Sequence, residues 1–440
     1  MTGLETMDEG GSVVQHSEMD LTPEPLAFIG TSDLAGLVRG KSIPASELER
    51  RMGRGVGLTH SNIMMSVFGP IYDSPFGTQG DLMLVPDPAT RTAIPAADGP
   101  DIVLMLGDLL ETDGAPWECC PRHFLRRGLA ALHREFGLTL LAAFEQELVY
   151  TGVEDRAGSP YSLDALRRHG GFGGTLLAAM RGAGITPDSF LSEYAPRQYE
   201  VTVGPAQGVT AADQAVLVRE LARAVAACRG HRAILAPILA PDGVGNGTHI
   251  HWSLLDEFGR PTAHDEDGLH GLSEEAEHMV AGILHHLPAL CAVTAASAAS
   301  YYRLRPNRWA PIEADLGVQD RGSAVRICPV FATAEEQAAA QFNVEFRVAD
   351  AAASPYLALG ALVWAGLDGL REQRRLADVA RAPLPGSLEA ALELFAASET
   401  VAEWFGDLFR DVYLRFKRAE LKALAGLDEA AVCARYAAVY

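Results

Sequence analysis

The segment Phe144-Glu-Gln-Glu-Leu-Val-Tyr150 reads as a strand whose only charged residues are Glu145 and Glu147. Side chains alternate along a strand, so residues two apart share one face. Two like charges side by side near a core are unfavourable unless a cation or an arginine balances them. A fold of this chain must therefore leave that face in water, the ordinary outcome for an isolated pair, or bring a compensating charge to it.

Three other stretches raise the same question. In Ser192-Glu-Tyr-Ala-Pro-Arg-Gln-Tyr-Glu-Val201, Glu193 and Glu200 bracket a proline-containing turn that can return both to one place. Asn343-Val-Glu-Phe-Arg-Val-Ala-Asp350 puts Glu345 and Arg347 on one strand face, which by itself describes a salt bridge of little energetic weight. Gly245-Asn-Gly-Thr-His-Ile-His-Trp-Ser-Leu-Leu255 puts His249 and His251 on one face of a strand behind a glycine-bearing turn. Alone, such a pair is more often a packed, hydrogen-bonded couple than a metal site.

Taken together, Glu145, Glu147, Glu193, Glu200, Glu345 and His249 are suitable ligands for two hard divalent cations. Oxygen donors with one imidazole favour Mg²⁺ or Mn²⁺ over zinc. The chain has no HExxH and no Cys/His ligand spacing to argue otherwise. Ser300-Tyr-Tyr-Arg-Leu-Arg-Pro306 adds Arg303, and Asp320-Arg-Gly-Ser-Ala-Val-Arg-Ile-Cys-Pro329 adds Arg321 and Arg326. Guanidinium groups beside two metals suit phosphoryl transfer and carboxylate recognition. GxxxxGK[ST] is absent, so this is not a P-loop protein.

The 440 residues are enough for two domains or one large one, and 48% hydrophobic with 21% charged residues is ordinary globular composition. A net charge of -21 argues against nucleic-acid binding. Six cysteines without a pairing framework read as reduced thiols of a cytoplasmic protein. No signal peptide is visible, and the longest apolar stretch, near Ile283 to Ala299, is interrupted by His285 and His286. Along the chain we expect a disordered tail over 1–23, a small β-rich domain over 24–115 and a large sheet-plus-helix domain over 116–440. The fold class is α+β.

These blocks, with Leu84-Val-Pro-Asp-Pro88 and the stretch from Val344 to Leu362 and in this order, resemble the glutamine synthetase family over nearly the whole chain. The resemblance implies an N-terminal β-grasp domain and a catalytic domain of antiparallel strands with flanking helices. It implies a homo-oligomer of two stacked hexameric rings, a dodecamer, with sites between subunits. It also implies ATP as co-substrate and two or three Mg²⁺ or Mn²⁺ ions. By motif, one ion would be held by Glu147, Glu193 and Glu200, the other by Glu145, His249 and Glu345. His251, Ser253 and Gly247 would contact substrate or nucleotide. Arg321 and Arg326 would act on the transferring phosphoryl group, and Arg303 and Arg347 would hold the amino-acid carboxylates.

Two departures bear on the substrate. The family flap reads Gly-Tyr-Glu-Ala-Pro, whose glutamate helps bind and deprotonate ammonium, whereas this chain reads Asn307-Arg-Trp-Ala-Pro311 with Trp309 at that place. The N-terminal loop, where the family carries an aspartate, reads Gly57-Leu-Thr-His-Ser-Asn-Ile63 with no acid. Losing both carboxylates removes what attracts a small cation, and an indole adds a flat surface for a larger amine. The expected reaction joins the γ-carboxylate of glutamate to an organic amine through a γ-glutamyl phosphate, releasing ADP and phosphate. The alternatives are glutamine synthetase proper, with ammonia, and an inactive structural or regulatory relative, although all six ligand positions are filled.

Overall fold

The computed structural model describes residues 22–440 apart from 157, 159 and 333. The expected disordered tail falls almost entirely outside the described residues. From Leu26 onward the chain builds one six-stranded sheet. Its order is Val38–Pro44, Leu26–Ser32, Ile102–Glu111, Asp81–Pro86 and Val56–Thr59, with Thr92–Ile94 also paired to Ile102–Glu111. Leu26–Ser32 runs parallel to Ile102–Glu111 and the other pairs are antiparallel, as the β-grasp expectation requires. In Asp81–Pro86, Leu82, Leu84 and Pro86 are buried while the residues between them are not, the period of two that makes this a half-buried strand. The sequence pattern over Pro44–Met52 is helical, and the structure gives it as a 3-10 turn, Ala45–Glu47, and one helical turn, Leu48–Arg51.

Among the described residues, the rest of the chain holds two larger sheets where a single large one is expected, besides a two-stranded pairing of Glu313–Ala314 with Ala382–Pro383. The first orders Ala206–Gln207, Thr139–Phe144, Ile250–Leu255, Val344–Phe346, Val325–Ile327 and Leu316–Val318; the second orders Ala233–Ile234, Gln146–Tyr150, Gln198–Val203 and Pro187–Ser192. Pairing is antiparallel throughout except between the last two strands of the first sheet. The run from Thr139 to Tyr150, which reads as one strand, is cut at Glu145 and passes from the first sheet to the second. A segment just ahead of Ile250–Leu255 holds the crossing: Glu145 N–H donates to His249 O at 2.9 Å and Glu147 N–H to Gly247 O at 3.2 Å. Both carboxylates thus sit where the two sheets diverge.

Helices cover the sheets. Pro121–Phe136 begins with proline at its first position and ends at Gly137, whose φ of 68° a side chain would resist. Glu274–Thr294 and Pro355–Arg371 are apolar nearly all round and are buried. They cross so closely at Gly282 and Gly369 that a Cβ on Gly369 would run into His278 O. The apolar stretch near Ile283 lies in this pair, where His286 Nε2 meets Asp368 Oδ2 at 2.7 Å. Among the described residues no helix is long and apolar enough to cross a membrane.

One buried ionic cluster ties the N-terminal sheet to the rest. Arg122, fully buried at the start of its helix, donates to Asp87 and Asp108 on the sheet side and to Asp213 on the helix Val209–Ala227. Tyr356 hydroxyl completes Asp213 at 2.6 Å.

Candidate functional site

The junction between the two sheets gathers the acidic residues. Glu145 lies between two imidazoles: His249 Nδ1 is 3.0 Å from its Oε2 and His251 Nε2 is 3.1 Å from its Oε1. The two histidines do share a face, although the regular strand begins only at Ile250. Glu345, on the neighbouring strand, brings Oε1 to 3.4 Å from His249 Nδ1. Glu147 and Glu200 are directly opposite in the antiparallel pair Gln146–Tyr150 and Gln198–Val203. Glu193 leads out of the hairpin strand Pro187–Ser192, and its N–H donates to Gln198 O at 2.9 Å.

Gly247 makes the approach possible. Its N–H donates to Glu147 Oε2 at 2.8 Å, and a Cβ there would stand 2.7 Å from His249 Nε2 and 3.4 Å from Glu147 Oε1. Gln198, part of the hairpin, donates to Glu147 Oε2 at 3.2 Å and to Asn246 Oδ1 at 2.8 Å.

The charges in this cluster are unequally balanced. Arg326 Nη1 donates to Glu345 Oε2 at 2.7 Å, and Arg347 Nη1 donates to Glu345 Oε1. Burial raises the Glu345 carboxyl, but His249, Arg347 and His251 outweigh it and hold the group below its usual range. Glu145 is likewise held well below that range, its burial overcome by hydrogen bonds from His249 and His251. Glu147 is pushed up by burial, with His249 and the Gly247 N–H pulling the other way. Glu200 is pushed up to about 9, first by burial and then by Glu145, Glu147, Glu193 and Glu345. Among the described residues, Glu193 and Glu200 have no ion pair, and Glu147 has only His249 Nε2 at 3.9 Å. The cluster therefore has a deficit of positive charge on its Glu147–Glu193–Glu200 side, in a setting that also disfavours the charged form.

That deficit is the test for a metal, and the donor set meets it. The ligand atoms of Glu145, Glu200 and His249 lie within 4.8 Å of one another. Carboxylate oxygens with a single imidazole suit a hard divalent cation. A second group, His251, Cys328 and Glu345, meets the same distance criterion. Its thiol, at 3.7 Å from His251 Nδ1, was not singled out by the spacing of the cysteines. All six cysteines are free, and Cys228 is exposed.

The remaining expected residues are placed unevenly. Arg303 is buried and donates to the Val348 and Ala349 carbonyls, with Asp350 Oδ2 at 3.6 Å from its Nε. Ser253 is buried on the strand of the histidines. Arg321 is exposed and meets the cluster through its carbonyl, which accepts from Arg347 Nε at 3.1 Å. Trp309 is exposed on the flap and stacks on Tyr194, with centroids 6.5 Å apart. The loop 57–63 stays with its own domain, where His60 Nε2 lies 3.3 Å from Glu111 Oε2 and the ring packs on Trp117.

Sequence reasoning passed over Tyr161 and Tyr194. Tyr161 hydroxyl and Tyr194 N–H both donate to Glu193 Oε2 at 2.9 Å. Burial, followed by that hydrogen bond and the carboxylates behind it, pushes Tyr161 up to about 12, so it stays a neutral donor. Tyr194 lies inside the Glu193–Glu200 block and was within reach of pattern reading. Tyr161 lies in a loop 32 positions from Glu193 in sequence, and no local pattern points to it.

The family model for the glutamine synthetase catalytic domain matches residues 118–431, and that for the glutamine synthetase N-terminal domain matches residues 2–117. The chain belongs to the glutamine synthetase family. A gamma-glutamylpolyamine synthetase, GlnA3 of Streptomyces coelicolor, is 35% identical, covering 93% of this chain and 92% of its own. The crystal structure of a novel glutamine synthase homolog superposes with a TM-score of 0.91 at 42% identity, covering 96% of this chain and 99% of that one. A GmaS complex with ADP superposes with a TM-score of 0.78 at 25% identity, covering 92% and 95%. Members of this family use ATP and divalent cations, in keeping with the acidic junction found here.

Proposed function

We propose that this protein is an ATP-dependent ligase that joins the γ-carboxylate of glutamate to an organic amine. Membership of the glutamine synthetase family and the likeness to a gamma-glutamylpolyamine synthetase support the reaction class. The single observation that carries the amine assignment is Trp309. It occupies the flap position of the family's ammonium-handling glutamate and is seated on Tyr194 beside Glu193.

In this reading Glu147, Glu193 and Glu200 hold one cation, and Glu145, His249 and Glu345 hold the other, as Mg²⁺ or Mn²⁺. Bound cations supply charge neutralisation to the phosphate oxygens of ATP. Arg326 and Arg321 lie on the stretch that stabilises the transferring phosphoryl group, while Arg303 and Arg347 orient the amino-acid carboxylates. His251, Ser253 and Gly247 line the substrate and nucleotide side of the cluster. The γ-carboxylate takes the terminal phosphoryl group and ADP leaves. The neutral amine then attacks the acyl carbon, phosphate leaves, and the nitrogen loses a proton. Residues 24–115 form the domain that packs against this catalytic unit, residues 116–440. Copies of the chain associate as stacked rings in the cytoplasm.

The test is ADP release by the full-length protein with ATP, glutamate and Mg²⁺ or Mn²⁺, supplied with ammonia or with primary amines. Amine-dependent ADP release that exceeds the ammonia rate is the expected result. Equal or better turnover with ammonia alone makes the protein a glutamine synthetase proper. Metal and ATP binding without ADP release for any amine makes it an inactive relative.

A further inference from the structure

Behind the Glu147–Glu193–Glu200 side of the cluster lies a buried amide, Gln198, which is 2% exposed. It sits diagonally across from Glu147 in the antiparallel pair and shares a strand face with Glu200. Its partners settle its orientation. Oε1 accepts from Ala195 N–H at 3.0 Å, so Nε2 is the end that faces the cluster. Nε2 donates to Gly245 O and Asn246 Oδ1, both at 2.8 Å, and to Glu147 Oε2 at 3.2 Å. Asn246 is fixed in turn, because its Nδ2 donates to Ala236 O at 2.9 Å and so leaves Oδ1 for Gln198.

This one side chain reaches three segments that are distant in sequence. Its own turn carries Glu193, whose N–H donates to Gln198 O at 2.9 Å, while Gln198 N–H returns to Ala195 O at 3.1 Å. The same turn holds Arg197 at a φ of 62°, uncommon backbone for a long side chain, which persists only where surrounding structure sustains it. Glu147 belongs to the facing strand, and Gly245 and Asn246 to the turn ahead of the histidines. Bonds to all three fix how far the Glu193 turn stands from Glu147.

The effect on Glu147 is directional. Its Oε2 accepts from Gly247 N–H and from Gln198, whereas its Oε1 accepts no hydrogen bond among the described residues. Both donors are neutral, so they turn one oxygen inward and leave the negative charge and the other oxygen's lone pairs free. An arginine or lysine in place of Gln198 would cancel the charge that a cation needs.

We propose that Gln198, held by Asn246, is a positioning residue that presents Glu147 Oε1 to the cation it shares with Glu193 and Glu200. The inference rests on the reading of those three acids as ligands of one cation and of Glu145, His249 and Glu345 as ligands of the other.

The experiment titrates the full-length protein with Mn²⁺ alone and follows the free ion by electron paramagnetic resonance. The wild-type protein is expected to bind both ions. Gln198→Met keeps the length of the side chain and removes its amide. It should weaken one ion about 10- to 100-fold, the usual effect of losing an outer partner of a metal ligand, and leave the other as in the wild type. Tyr199→Phe is the control. It removes a buried hydroxyl, bonded to Ala165 O at 3.2 Å, from the opposite face of the same strand, and should leave both ions unchanged. In ADP assays Gln198→Met should regain most of the wild-type kcat at high Mn²⁺, with half-saturating Mn²⁺ raised by the factor found in the titration. Should Gln198→Met fail to fold, Gln198→Asn makes the same test, since it keeps an amide in the polar pocket and draws it one methylene back from Glu147.

A Gln198→Met protein that binds both ions as tightly as the wild type overturns the proposal. So does a parallel loss of both ions with a lower metal-free Tm, which describes an amide that only holds the hairpin. A wild-type protein that binds no Mn²⁺ strikes the cation reading itself and the proposal with it.

Discussion

At the scale of single residues, the site is a problem in charge balance. Glu345 has two guanidinium partners and Glu145 has two imidazoles, while among the described residues Glu193 and Glu200 have no ion pair. The proposed ligand set puts a cation on the undercompensated side, so Glu200→Gln should leave the protein folded and abolish most of the thermal shift produced by Mg²⁺ or Mn²⁺. Differential scanning fluorimetry with and without metal measures this, and an unchanged shift removes Glu200 from the ligand set. Gly247 makes a complementary test, because an added methyl must push His249 or Glu147 aside. Gly247→Ala should lower kcat/KM by about 10²-fold, the effect of moving catalytic groups by roughly 1 Å. Steady-state ADP assays decide it.

At the scale of elements, the site exists because one run of chain serves two sheets. Thr139–Phe144 and Gln146–Tyr150 have different partners, and the break at Glu145 turns both carboxylates of the pair into the cleft. The period of two correctly placed Glu145 and Glu147 on one face, because alternation is local. It could not show the break, because strand partners lie about a hundred residues away, at His249 and Gly247. The clamp of the N-terminal sheet is non-local in the same way. Arg122 lies in the first turn of its helix, and it is buried among Asp87, Asp108 and Asp213, which come from distant parts of the sequence. Arg122→Ala should leave the buried Asp213 without a charged partner and Asp87 and Asp108 with Arg126 alone, and cost about 3–5 kcal/mol of stability, visible as a lower denaturant midpoint. Retained stability would mean that solvent reaches those acids.

At the scale of the whole molecule, metal and fold should be linked. With the proposed ligand set, the native cluster would bind cations that an unfolded chain does not, so saturating metal at about a hundredfold over Kd would add about 2.7 kcal/mol. Treatment with EDTA should lower Tm, and Mg²⁺ or Mn²⁺ should restore it, without change in the helical circular dichroism. A Tm indifferent to metal argues against the cluster as a cation site. The ring assembly proposed here predicts a sedimentation mass that is a large multiple of the subunit. A monomer in sedimentation would overturn the stacked-ring proposal.

What the residue order determined was the local grammar: strand period, the α+β class, and acids placed in pairs on strand faces. The blocks carrying those pairs also made the family legible, since their types and order survive without knowledge of any contact. What only the tertiary structure decided was which charges meet. Arg326 and Arg347 converge on Glu345, Tyr161 joins Glu193, and Trp309 settles on Tyr194 through contacts between loops distant in sequence. The physical reason is range: hydrogen-bonded periodicity acts over a few residues, whereas burial and charge compensation are properties of what the completed fold brings together.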